Sequence, residues 1–139
     1  MTEHPPDLDL AHLSRLAQED VRLLWVNDFW DGALEGIAEY QGERCLFVVA
    51  EPHLVGAHDE MRRWVLYRLT TEQLQEEERW HALFVAHVGG HFDHTGTAPH
   101  EAEQHDPARF YGAYQADYRA PQLERSQAVG WFSAFTVRS

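Results

Sequence analysis

The amino-acid sequence predicts an α+β fold with a mainly antiparallel sheet. An N-terminal meander of three to four strands and a C-terminal strand form this sheet, and two or three helices pack it. Between residues 25 and 51, short runs alternate in polarity and are rich in aromatic and β-branched side chains. The dipeptides Asp31-Gly32 and Gln41-Gly42 separate these runs, and glycine adopts the positive φ that hairpin turns need. Segments with helical periodicity follow, and then one more apolar run.

The first half of the chain contains most of the predicted strands. Residues 1–6 are expected to be disordered, and Asp7 or Asp9 caps a predicted short helix that extends to about Glu19. The third and fourth strands carry apolar residues at both parities, which is typical of central strands that are covered on both faces. The predicted strands span residues 22–29, 34–40, 44–51 and 62–69, with a loop at 52–60.

Two longer helices are predicted in the second half. Thr70 and Gln73 have the spacing of a capping box, and Gly89-Gly90 stops this helix after about Val88. Asp106-Pro107 begins the next helix, which Pro121 ends. Its aromatic stripe is expected to pack against the sheet, or alternatively to line a groove with its hydroxyls; the stripe consists of Phe110, Tyr111, Tyr114 and Tyr118. A last strand is predicted at residues 129–137.

Length and composition predict a single globular domain over residues 1–139. Cys45 has no second cysteine to pair with and lies in a predicted strand, so a buried, unreactive thiol is expected. No apolar run approaches the roughly 20 residues of a membrane span, and the first residues do not have the pattern of a signal peptide. We therefore expect a bacterial cytoplasmic protein without membrane association.

The charge excludes several kinds of chemistry. The formal net charge is −12, with 23 acidic residues against 11 basic ones, and every basic residue is arginine. Without lysine there is no Schiff base, no phosphate-binding lysine of the Walker type and no attachment point for biotin or a lipoyl group. So acidic a chain also repels phosphate backbones, and we expect no direct binding of nucleic acid.

Histidine is concentrated in one region, since six of the ten histidines lie between His81 and His105. Three of them are dense enough in sequence to hold a divalent transition metal, and Asp93 or Asp106 could supply oxygen ligands. The candidate ligands are His87, His91 and His94. The alternative is a polar loop with solvated histidines and no cofactor, because Gly89-Gly90 interrupts the helical spacing.

Glu77 and His81 form a second candidate, for acid–base catalysis. They are one turn apart in the predicted helix over residues 70–88 and fall within its apolar face. A carboxylate and an imidazole directed at a core need each other or a ligand. Alternatively, Glu77 lies where this face overhangs solvent, and His81 bonds a backbone carbonyl.

The first hairpin carries a candidate partner-binding surface. Aromatic side chains alternate there with carboxylates, and the candidate residues are Trp25, Asp28, Trp30 and Asp31. The alternative is that these acidic residues shape the turn and bond its backbone groups. Glu35 and Glu39 in the next strand are expected to form a solvated outer face.

The sequence favours a non-enzymatic role. It contains neither the Gly-x-Ser-x-Gly elbow of a serine nucleophile nor the Gly-x-Gly-x-x-Gly pattern of a dinucleotide site. We expect an acidic protein-interaction module, such as an immunity or inhibitor protein, for a basic partner. The alternatives are a metal-assisted enzyme or small-ligand binder that uses the histidines between His81 and His105, and a homodimer formed through an edge of the meander.

Overall fold

A computed structural model describes residues 2–29, 33–50, 62–89 and 106–133. The chain divides into two compact units. One contains residues Met1–Leu69 and Gln122–Ser139, and the other contains Thr70–Pro121. The expectation of a single domain stays a prediction.

The first unit contains a five-stranded antiparallel sheet, in which the strands follow one another in chain order. Together with the two helices of the second unit, it confirms the predicted α+β class. The first four strands begin and end close to their predicted limits, whereas the last strand, predicted at residues 129–137, ends at Phe132. The five strands are β1 (Val21–Phe29), β2 (Ala33–Tyr40), β3 (Glu43–Val49), β4 (Trp64–Arg68) and β5 (Ala128–Phe132).

The hairpin between β2 and β3 is built as its sequence predicts. Tyr40 pairs with Glu43, and the two residues between them form the turn. Gln41 has φ 53° and Gly42 has φ 78°, the left-handed backbone that a two-residue hairpin turn needs. The other predicted turn, Asp31-Gly32, lies outside the described residues.

The sheet has buried side chains on both faces. In β3, Cys45 and Phe47 belong to one hydrophobic cluster, whereas the alternate residues Leu46 and Val48 belong to another. This pattern confirms β3 as a strand that is covered on both faces. Cys45 is fully buried as expected, and burial raises the pKa of its thiol to about 11, so the thiolate is disfavoured.

The N-terminal segment differs from the prediction. In place of a helix to about Glu19, the chain forms two short 3-10 turns, Leu10–His12 and Gln18–Asp20. Asp9 caps the first turn by accepting a hydrogen bond from the Ala11 N–H. The helix does not extend because the backbone of residues 14–16 pairs instead with β5: the Leu16 N–H donates to the Trp131 carbonyl.

The second unit contains two helices, α1 (Thr71–His87) and α2 (Pro107–Asp117). The predicted capping box is present, with Thr70 and Gln73 exchanging hydrogen bonds of 3.0 and 3.1 Å. Gly89 has φ 93° and ends α1, as predicted. Within the described residues, neither helix combines the length and the apolar character needed to cross a membrane.

Candidate functional site

Glu77 is buried in the helical unit, on the apolar face of its helical wheel, so the alternative that this face overhangs solvent at Glu77 is wrong. Only 3% of the residue is exposed, although it lies near the N-terminal end of α1. The Tyr118 hydroxyl donates a hydrogen bond to Glu77 Oε1 at 2.9 Å. A buried carboxylate needs such donors because the removal of its charge from water is costly.

An aromatic cluster surrounds this carboxylate. Trp80, one turn after Glu77, meets the rings of Phe110, Tyr114 and Tyr118 edge-on at centroid distances of 5.5–6.2 Å. Tyr114 and Tyr118 stack at 4.4 Å, so the rings fill the space among themselves. Phe110, Tyr114 and Tyr118 of the predicted stripe thus pack on helix α1, whereas Tyr111 is 42% exposed. Packing of the stripe against the sheet stays a prediction.

His81 lies one turn beyond Glu77 on α1 and is half-buried. Glu77 and His81 each have a polar, ring or electrostatic contact beyond the Tyr118 hydrogen bond. The predicted acid–base pair of Glu77 and His81 therefore stays a prediction.

The histidine cluster is described only in part. His87 is half-buried at the C-terminal end of α1, and its Nδ1 is buried without a hydrogen-bond partner in the described part of the chain. The carboxylate of Asp106 accepts from the Arg109 N–H and caps α2. His91 and His94 lie outside the described residues, and no group of three potential metal ligands occurs inside them.

The candidate partner-binding surface at the first hairpin is also described in part. Asp28 is exposed, as a partner-binding carboxylate requires. Trp25 is half-buried against one of the core clusters, with the Arg44 guanidinium 5.4 Å from its ring centroid. Trp30 and Asp31 lie outside the described residues.

Glu35 was expected on a solvated face, and this expectation is wrong. Its exposure is 3%, because the N-terminal segment lies over it. The backbone N–H and the hydroxyl of Thr2 donate to its two carboxylate oxygens at 2.9 and 2.8 Å. Burial raises the pKa of Glu35 and the charge of Asp28 adds to the rise, whereas the Thr2 hydrogen bonds oppose it. Glu39 remains half-exposed and pairs with Arg22 at 3.0 Å.

A second contact holds the same N-terminal segment. His4 Nε2 lies 2.7 Å from the Val49 carbonyl oxygen, and His4 Nδ1 lies 2.6 Å from the Tyr67 hydroxyl. A carbonyl only accepts, so Nε2 carries the proton, and in the neutral ring Nδ1 accepts from Tyr67. Residues 2–6, for which the sequence predicts disorder, thus make defined contacts with the sheet.

The first unit also contains an arginine–tryptophan groove that the sequence does not predict. The Arg15 and Arg63 guanidiniums lie 5.2 and 4.5 Å from the ring centroid of Trp131. The groove has a volume of about 450 Å³. It is lined by Asp9, Leu10, Ala11, Leu13, Arg15, Arg63 and Trp131. These residues come from three distant parts of the chain, and no local pattern brings them together.

Comparison with known proteins identifies no relative: no family model, curated protein or solved structure matches this chain significantly. The geometry of the molecule itself therefore has to support any functional proposal.

Proposed function

We propose that this chain is a protein-interaction module that binds a basic partner. The observation that carries the proposal is the net charge of −12. In the described ranges, carboxylates other than Glu35 and Glu77 are exposed or half-buried, so their charge acts on the surroundings. A field of one sign attracts an oppositely charged protein and accelerates association. An immunity protein or an inhibitor is the concrete form that we favour.

The end of the first hairpin is the surface that we assign to this partner. Asp28 is exposed on β1, and in the described residues β1 forms its ladder with β2 alone, at one edge of the sheet. Register shifts on either side of Asp28 break the regular pairing there. Trp30 and Asp31 follow directly in sequence and would add an aromatic anchor and a second charge.

The test compares two variants that each remove one negative charge. The probe is a fluorescein-labelled decalysine peptide, titrated with the protein at several salt concentrations. Asp28→Asn should weaken binding by roughly 1.4- to 5-fold, the effect of about 0.2–1 kcal/mol for one exposed charge pair. Glu19→Gln is the control, because Glu19 is exposed just before the opposite end of β1.

Affinity for decalysine should also fall as salt rises, since screening weakens attraction between exposed charges. Equal effects of D28N and E19Q would remove this surface from the proposal. A salt-independent affinity would count against capture by charge. Light scattering on the protein alone measures its oligomeric state and so distinguishes partner binding from self-association through β1.

A second candidate is a metal-assisted enzyme or small-ligand binder that uses His87. The Nδ1 of His87 favours it: this nitrogen is buried and has no hydrogen-bond partner among the described residues, and a ligand or metal would satisfy it. His91 and His94 are the further ligands that the sequence proposes.

Metal analysis of protein purified without a histidine tag tests this second candidate. A divalent transition metal near one equivalent per chain, lost in His87→Ala, would support it. His12→Ala is the control, because His12 is exposed in the other unit. Substoichiometric metal in the unmodified protein would argue against it.

A further inference from the structure

The strand register explains why two arginines flank Trp131. Residue 15 forms a parallel bridge with Trp131 on the outer side of β5, and such partners project to the same face. On the other side, Trp131 pairs with Val65 of β4. Arg63 precedes Val65 by two residues and therefore shares its face. Trp131 thus lies between the two arginines.

The contact of Arg15 with Trp131 does not use the hydrogen-bond donors of Arg15, because a cation–π contact is made through the face of the ring. A guanidinium that lies over an indole is held by the ring through its flat face, and its N–H groups remain directed outward in its plane. Arg15 is exposed and makes no ion pair with any residue of the described ranges. Its N–H groups are thus available to a ligand.

The groove has the size and the chemistry of a small-ligand site. Its volume of about 450 Å³ lies within the range of roughly 300–1,000 Å³ that is usual for such sites. Leu10 and Leu13 give it an apolar wall, beside the two guanidiniums. Asp9 carries the one carboxylate of its lining; it accepts from the Ala11 N–H and lies 3.3 Å from His12 Nδ1.

We propose that this groove binds an oxoanion, a carboxylate or phosphate group carried by a small organic ligand. Arg15 donates to the anion, because a guanidinium matches the geometry of these groups, and Arg63 over the same ring adds positive charge. Trp131 holds both guanidiniums in place, and the leucines contact the organic part. This site shares no residue with the acidic surface assigned to a basic partner, and its ligand has the opposite charge.

Nuclear magnetic resonance of protein whose tryptophan side chains carry ¹⁵N in the indole ring tests the site. Phenyl phosphate and benzoate are the two probes, each added to the full chain at constant ionic strength. Assignment by Trp131→Phe identifies the Trp131 signal. We expect this signal to shift saturably with at least one probe, and the probe that binds identifies phosphate or carboxylate as the preferred group.

One variant and its control test Arg15 as a donor. Arg15→Gln should weaken binding of the effective probe by about tenfold, because a hydrogen bond to a charged group is lost. Arg22→Gln is the control with the same change of charge, since Arg22 is exposed and paired with Glu39 on β1 and β2. The proposal is overturned if neither probe saturates, or if R15Q and R22Q bind alike.

Discussion

At the scale of single residues, the two buried carboxylates Glu35 and Glu77 differ in which part of the chain supplies their hydrogen-bond donors. Glu77 is held within one helical unit, where Tyr118 reaches it from the segment that follows α2. Glu35 is held by Thr2, which comes from a distant part of the chain. The wheel of a single helix predicts the first burial. The second depends on where the N-terminal segment lies, so a pattern within β2 cannot reveal it.

The raised pKa of Glu35 predicts a pH dependence of stability. Folding favours its protonated form, so its stabilising contribution is fully present below its ordinary pKa of 4.5. That contribution is lost as the pH rises through the higher pKa of the folded state. Glu35→Gln removes this titration. The unfolding free energy of E35Q, relative to that of the unmodified protein, should therefore increase from pH 4.5 to pH 7.5 in urea titrations.

Glu76→Gln is the control with the opposite sign. Glu76 is exposed, and its hydrogen bond from Arg79 lowers the pKa of its carboxyl. Its contribution is present above pH 4.5 and is lost as the pH falls. E76Q should therefore be less stable than the unmodified protein near neutrality and approach it in acid. If the unfolding free energy of E35Q relative to the unmodified protein stays constant from pH 4.5 to pH 7.5, the account of Glu35 is contradicted.

At the scale of elements, the two glycines Gly36 and Gly112 lie within regular structure but have different surroundings. Gly36 in β2 lies between Val26 of β1 and Phe47 of β3 in the register. A Cβ at this position would meet the Trp25 carbonyl oxygen and would lie 2.7 Å from Cζ of Phe47. Gly36 therefore makes room for the Phe47 ring. Gly112 in α2 has open space around it.

These positions predict opposite effects of the same substitution. Gly36→Ala should lower the unfolding free energy by about 1–3 kcal/mol, because the new methyl group overpacks the sheet. Gly112→Ala should raise it by about 0.5–1 kcal/mol, because alanine loses less conformational freedom in a helix. Urea unfolding followed by circular dichroism measures both. Equal stability of G36A and the unmodified protein would show that the sheet accommodates the methyl group.

At the scale of the whole molecule, local signals predicted the elements and failed on long-range contacts. The capping box at Thr70 and the turn at Gln41-Gly42 were predictable because each lies within a few consecutive residues. The prediction of an N-terminal helix was wrong because residues 14–16 pair with β5. The arginine–tryptophan groove was missed for the same reason: its geometry comes from strand register, which periodicity does not encode.

The net charge and the candidate sites also differ in whether the sequence alone predicts them. Net charge is a sum over the sequence and could be stated without a structure. Helical spacing places Glu77 on the buried face of α1, whereas the edge position of β1, which carries Asp28, follows only from the strand order. The arginine–tryptophan groove brings two guanidiniums together within an acidic chain, so the composition of the chain does not predict it.

The bridge between Arg15 and Trp131 has a consequence for biosynthesis. This rung joins an early segment to a strand that leaves the ribosome much later. Until residues 128–132 have emerged, the outer backbone groups of β4 lack their β5 ladder, and residues 14–16 lack the strand on which they dock. Closing so long a loop is entropically slow. A nascent chain stalled before β5 is therefore expected to expose an unpaired strand edge, a feature that favours aggregation.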